Sequence, residues 1–255
     1  MTVGCYCVPS YKNKKMKKLL TLLTIIPLTI FCQDTETTTK KYSIGLTFSP
    51  DYCYRTLKPD ASSKWIADDR NSHEIPKIGY TAGLNLAVNI NKRFTFETGL
   101  LFSDKGEQTK QYSVVWVDVN GQVDPTMPVA NTFIYHYLYL DIPIKVNYYI
   151  LTGRAKLFLT AGISPNIFLT QKTVSLLEYS DGHTTINTSS GSGYTGFAII
   201  NLTFIAGLGF EYNFTKKVYL KIEPIYRRSI TSIVNAPIKG YLYSSGLNIG
   251  LFYKL

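Results

Sequence analysis

Three histidines, His73, His136 and His183, are the side chains in this 255-residue sequence best suited to proton transfer near neutral pH. Each lies in or next to a long polar stretch, and none stands at a spacing that would pair it with a second metal ligand. His136 with Ser113 or Ser103 is the combination with a hydrolytic reading, a hydroxyl nucleophile activated by an imidazole base. Nothing in the spacing fixes that geometry. Residues 191–196 read GSGYTG and satisfy G-x-G-x-x-G, a pattern whose backbone amides cradle a pyrophosphate where a strand leads into a helix. Here the pattern sits among Ser, Thr and Gly and leads into a strand, so it reads as a loop. The sequence offers no catalytic, cofactor-binding or metal-binding set, and the expected cofactor is none.

The charged residues elsewhere share a phase. In residues 135–149, YHYLYLDIPIKVNYY, the even positions from Leu138 to Val146 are all aliphatic, and Tyr139, Asp141, Pro143 and Lys145 lie between them. A two-residue period puts these sets on opposite faces of one strand. The same two-faced pattern returns in residues 42–51, 78–90, 94–102, 156–168, 201–213, 218–229 and 241–255. One face of each is apolar, as in Ile44, Leu46 and Phe48 or Leu247, Ile249 and Leu251. The other carries small and polar residues, with glycine recurring at Gly79, Gly83, Gly162, Gly207, Gly209, Gly246 and Gly250. Onto it fall Glu97, Asp141, Lys145, Glu211, Lys221, Glu223 and Arg227, four carboxylates against three cations. Charges at membrane depth often mark a proton or solute path. A near-balanced set inside a narrow ring reads more simply as a paired network.

These elements predict an all-β fold, an eight-stranded antiparallel up-and-down transmembrane β-barrel. Its connections alternate in length: residues 55–77, 104–131, 171–196 and 231–240 are long, and residues 91–93, 151–155 and 215–217 are tight turns. Asn120-Gly121, flanked by VVWVDV and QV, predicts a small hairpin inside the second long loop. Outer-membrane barrels place long loops outside the cell and short turns in the periplasm, so both termini are expected to be periplasmic. A solvent-facing sheet would alternate to polar residues on its outer side. Twenty tyrosines and thirteen phenylalanines at a mean hydropathy of +0.00 fit alternating strands rather than apolar helices. Tyr42, Tyr80, Tyr135, Tyr148, Tyr149, Tyr212 and Tyr241, near strand ends, are expected to form interfacial girdles.

The first 32 residues read as a leader. From Met16 the chain has Lys17 and Lys18, an apolar run over residues 19–31, and Cys32, the layout of a cleaved secretory signal. The run is too short for a spanning helix. Met16 is the expected start, with residues 1–15 an upstream extension. Phe31 stands where a lipoprotein signal would carry a small residue before Cys32. Residues 33–41 then form a periplasmic spacer and residues 42–255 the barrel. Cleavage removes five lysines and no acid, which lowers 27 cations to 22 against 17 carboxylates and the net charge from +10 to +5. The cations are not gathered into a stripe, and no nucleic-acid partner is expected. Cys53 alone is left, without a partner for a disulfide or a cysteine metal cluster.

The stretches YLDIPIKVNYY (139–149), FLTAGISP (158–165), FIAGLGFEYNF (204–214) and GLNIGLFYKL (246–255) resemble the PorT-like outer-membrane β-barrel family of the Bacteroidota. The resemblance covers most of the chain after the leader and is strongest from Tyr137 onward. One departure is the end, Tyr253-Lys254-Leu255, where such barrels carry a terminal aromatic residue. The resemblance implies a non-enzymatic protein of a Gram-negative outer membrane with a structural, adhesive or secretion-accessory role, since the family's namesake is implicated in type IX secretion. Its expected partners are outer-membrane lipid and, through the exterior loops, other envelope or secretion-system proteins. A narrow porin for small solutes is the alternative, and a lipid-modifying outer-membrane hydrolase a more remote one.

Overall fold

Alternation at a period of two lets one strand face two different surroundings, and it governs most of the regular structure. The computed structural model describes residues 42–117, 120–124, 126–191 and 196–255. The leader, the spacer and the middle of GSGYTG lie outside them. In chain order the elements are β1 (Tyr42–Lys58), α1 (Lys64–His73), β2 (Glu74–Asn89), β3 (Phe94–Thr109), β4 (Tyr112–Ser113) and β5 (Ala130–Asp141). They continue with β6 (Ile144–Leu151), β7 (Ala155–Glu178), β8 (Thr184–Gly191), β9 (Ile200–Asn213), β10 (Val218–Ser229) and β11 (Lys239–Lys254).

β1 pairs antiparallel with β2 on one side and with β11 on the other. The ladder runs on from β2 to β3, from β3 to β5 and β6, from these to β7, then through β9 and β10 to β11. β5 and β6 are one wall strand interrupted at Ile142 and Pro143, because proline has no N–H to give the ladder. Eight antiparallel strands therefore close a ring in sequence order, as the sequence predicts. Closure leaves the wall without an edge.

The register lines up the outward face. Leu100, Leu84, Leu46, Leu251 and Leu220 are direct neighbours across five successive strands. Leu46 is 68% exposed and Leu84 61%, with no protein to cover them. A continuous apolar belt of this kind is unlike the surface of a monomer in water and matches a hydrocarbon layer.

The short turns are built by side chains suited to them. Asn91 Oδ1 accepts the backbone N–H of Arg93 and of Phe94, each at 2.8 Å, and Thr215 Oγ1 accepts those of Lys217 (3.1 Å) and Val218 (2.9 Å). Such side-chain caps are why Asn and Thr favour turns.

At the other end the loops carry more structure than the sequence predicts. β1 runs to Lys58, β3 to Thr109 and β7 to Glu178, and β7 turns back to pair with β8. α1 occupies the middle of the first loop. The expected hairpin exists as an antiparallel bridge from Val117 to Val123 around Gly121, whose φ of +79° is a backbone conformation glycine adopts readily. Two of the expected girdle tyrosines point inward instead. Tyr149 is 3% exposed and bonds Glu211. Tyr135 packs on an apolar cluster of Tyr137, Tyr139, Ile233 and Leu242. Both stand at odd positions of their strand, and phase decided their direction over proximity to the strand end.

The belt makes a direct prediction. Leu84→Arg places a cation on the lipid face near mid-height and should weaken folding into phosphatidylcholine vesicles by about 2–4 kcal/mol. Equilibrium folding titrations followed by gel mobility would measure it. An unchanged midpoint would mean that the belt faces water.

Candidate functional site

An eight-stranded ring is just wide enough to be filled by its own side chains. Whatever the inward phase carries must therefore fit closely together. All seven charges singled out in the sequence lie inside, each 6% exposed or less. A water-wide channel past them would leave their surfaces accessible. Their burial instead describes a filled lumen.

The centre is built on Glu97. Its direct cross-strand neighbour Lys145 lies 2.7 Å from Oε1, and Lys221, reaching over from β10, lies 2.5 Å from Oε2. Asn147 donates to the same Oε2 at 2.9 Å and is itself fixed by Thr160 at 2.8 Å. Lys145 also lies 3.4 Å from Glu223, which Asn248 holds at 3.1 Å. Two carboxylates and two ammoniums thus join opposite walls. Only a narrow ring permits such reach.

Towards the short turns, Glu211 takes Lys156 at 2.8 Å and the Tyr149 hydroxyl at 2.6 Å. Phe158 and Phe252 lie beneath Lys221, whose Nζ sits 4.8 and 5.2 Å from their ring centres. Cation–π attraction supplements the ion pair there. Glycine is required opposite these rings. A Cβ on Gly209 would come 2.1 Å from Phe158, and one on Gly45 2.5 Å from Phe252.

Towards the long loops, Arg227 lies 2.7 Å from Asp51, which also accepts Ser49 (2.7 Å) and Thr81 (2.6 Å). Asp141 is held by Lys105 at 2.9 Å and by Asn166. Above them Arg55 lies 2.5 Å from Glu74 and 3.1 Å from Glu107, Arg70 reaches Glu74 at 3.0 Å, and Tyr137 donates to Glu107 at 2.8 Å. Ile233, wholly buried, then closes this end with Tyr137, Tyr139 and Leu242.

Sequence reasoning missed Asp51, Arg55, Glu74, Lys105 and Glu107 as members of this interior. The phase held a signal for three of them. Asp51 continues Ser43, Thr47 and Ser49, and Lys105 and Glu107 continue Glu97, Leu101 and Ser103. Among the described residues, the eight buried carboxylates, Asp104 with its partner Lys77 at 2.7 Å included, each have a Lys or Arg partner within 4.0 Å. Pairs of this kind hold the walls together.

The remaining candidates separate. His136 Nδ1 lies 2.8 Å from both Asp104 Oδ2 and Lys77 Nζ. Ser103 is buried in the inward phase and Ser113 sits in β4 opposite Ala130, so His136 is engaged by Asp104 and Lys77 and not by either serine. His73 is tied to Ser72 and the Asp69 carbonyl, each at 2.9 Å, and His183 stacks on Tyr179 at 4.0 Å. Cys53 is buried and unbridged. Among the described residues no group of His, Cys, Asp and Glu is arranged to hold a metal. In the long loops, hydrogen bonds from Ser63 and Ser62 hold the Asp60 carboxyl below the usual carboxylate range, and those from Thr126 do the same for Asp124.

A family profile described as "Outer membrane protein beta-barrel domain" matches residues 31–221. No curated protein matches the sequence. Similar solved structures include Neisserial surface protein A, at 15% identity over 84% of this chain and 97% of that one, with a TM-score of 0.37. The Ail attachment invasion locus protein of Yersinia pestis matches at 12% identity over 85% and 99%, with a TM-score of 0.36. The outer membrane protease OmpT of Escherichia coli matches at 8% identity over 87% and 100%, with a TM-score of 0.42.

Removing Glu97 takes the ion-pair partner from buried Lys221 and leaves Lys145 with Glu223 at 3.4 Å. Glu97→Ala should destabilise the barrel by about 3–5 kcal/mol. Lys156→Ala leaves Glu211 buried but still bonded by the Tyr149 hydroxyl, and should cost less, about 1–3 kcal/mol. The temperature at which each variant loses its folded gel mobility would rank them, and equal losses would deny Glu97 its central place.

Proposed function

Because the chain belongs to the outer membrane protein β-barrel domain family, we propose that it works as a closed wall element of a Gram-negative outer membrane, serving partners through its long-loop end. The reading places the short turns and both termini in the periplasm and α1, β4 and the β7–β8 extension outside the cell. Residues 1–32 are then a signal removed on export. The role within this reading is structural, adhesive or secretion-accessory.

The observation that carries it is a contrast between the two parts of the molecule. The lumen is filled by paired charges, whereas the long-loop end leaves large apolar side chains uncovered beyond the belt: Trp65 (72% exposed), Val115 (70%), Trp116 (49%) and Val123 (63%). Apolar side chains outside the hydrocarbon layer gain most from burial against another protein. A narrow porin would need an accessible polar wall, and a hydrolase a base beside its nucleophile. The secretion-accessory version draws its support from the PorT-like stretches between Tyr139 and Leu255.

Two measurements test the reading. The purified protein in a planar bilayer should show no stepwise conductance, and discrete selective steps would replace the closed wall with a pore. Deleting the gene should alter the set of surface-exposed or secreted proteins, with a loss of secreted proteins expected for the secretion-accessory version. Unchanged surface and secreted fractions would remove the partner-serving role.

A further inference from the structure

The tight turns carry a charge pattern that the closed wall does not require. Residues 90–93, 152–154 and 214–217 hold Lys92, Arg93, Arg154, Lys216 and Lys217 and no Asp or Glu. The long-loop end mixes signs, as in Lys64, Asp68, Asp69 and Arg70 of α1. The excess of cations in the chain beyond the leader is thus concentrated on one rim.

Three of these cations are seated on tyrosines that face outward. Arg93 donates to the Tyr148 hydroxyl at 3.3 Å. Arg154 lies 5.4 Å from the centre of the Tyr212 ring. Lys217 donates to the Tyr253 hydroxyl at 3.2 Å and lies 5.6 Å from its ring centre. An interfacial tyrosine marks the height at which headgroups begin, and long basic side chains extend along such rings to reach them.

Between the β6–β7 and β9–β10 turns this rim forms an open groove of about 580 Å³. Its lining includes Arg154, Lys156, Asn213, Phe214, Lys216 and Lys254. Asn213 ties it together, donating its backbone N–H to the Arg154 carbonyl at 2.9 Å and accepting from Lys254 at 2.6 Å. Lys156 is committed to Glu211. Arg154 and Lys216 are exposed, and Phe214, also half exposed, packs edge-on against Tyr212 at 5.3 Å on the outer face. Cations above and an aromatic surface below suit an amphiphile rather than a free anion.

We propose that this groove docks the anionic headgroup of a phospholipid in the leaflet at the short-turn end, with Arg154 and Lys216 on the phosphate and an acyl chain along Phe214. The proposal rests on the membrane reading above. It adds a lipid class and a site to it.

Native mass spectrometry of the folded protein with equal amounts of phosphatidylglycerol and phosphatidylcholine tests it. The protein should retain phosphatidylglycerol preferentially, by about fivefold for each contributing cation. Arg154→Gln with Lys216→Gln should abolish most of that preference, whereas Lys64→Gln with Lys110→Gln at the opposite end should preserve it. Arg154→Lys with Lys216→Arg keeps the charges and should also preserve it, which guards against a folding defect. Equal retention of both lipids by the unaltered protein, or full preference in the glutamine variant, would overturn the proposal. So would displacement of the lipid by millimolar inorganic phosphate, since the site would then be for a free anion. Cross-linking of the rim in cells to an acidic protein, with no lipid preference, would likewise assign the rim to a protein. Vesicle insertion followed by gel mobility separates the two levels: failure to insert sinks the membrane reading, and insertion without lipid preference sinks only this site.

Discussion

Pairing of charges inside a ring filled by its own side chains is the condition on which the rest of this barrel depends. A buried ion costs several kcal/mol after relaxation, and a partner recovers that cost only with good geometry and hydrogen bonds to the remaining lone pairs. Glu97 meets both demands, with Lys145 at 2.7 Å, Lys221 at 2.5 Å and Asn147 at 2.9 Å. Because Lys145 and Lys221 stand on different walls, the pair fixes how the walls face each other as well as satisfying the charge. Phe158 and Phe252, which cover Gly209 and Gly45, fill the space that smaller neighbours would leave around Lys221. The glycines of the inward phase are the counterpart of these rings, since the lumen holds a ring or a side chain opposite it but not both.

How much of this was legible in the sequence follows from where the two faces differ. Between Ile44 and Phe48, or Leu247 and Leu251, the outer residues are apolar and the inner ones small or polar, and the strand and its phase could be read directly. The seven inward charges came from that phase alone. Above the belt the alternation gives way to a polar run, residues 104–108, although the ladder pairing continues. Lys105 and Glu107 consequently look like loop in the sequence, and Arg55 and Glu74 with them. α1 escaped for the same reason in another form: Trp65 is exposed, Ala67 is its buried residue, and no apolar stripe marks its period. The partner choices within the lumen were not legible, because Lys221 and Glu97 lie 124 residues apart and meet only when the ring closes.

An interior in which each buried carboxylate has a cation beside it also bears on where function can lie. Charges placed at membrane depth draw attention because they are costly to keep there, yet here each buried carboxylate has a cation close by and the apolar cluster around Ile233 shuts the long-loop end. The interior is occupied with holding the wall together. The proposed partner-serving role accordingly turns to the two ends.

Those ends differ in kind, and the difference follows from length. A three- or four-residue turn has little room to bury anything, so its side chains serve the interface they stand in. That constraint is met by Arg93, Arg154 and Lys217, each resting on an outward tyrosine. The long connections have enough chain to build an α-helix, a strand extension and an apolar lid over the lumen, and still leave Trp65 and Trp116 uncovered. A barrel whose middle is filled, whose short turns are cationic and whose long loops leave apolar side chains uncovered fits the proposal that lipid holds one end while the other is offered to a protein.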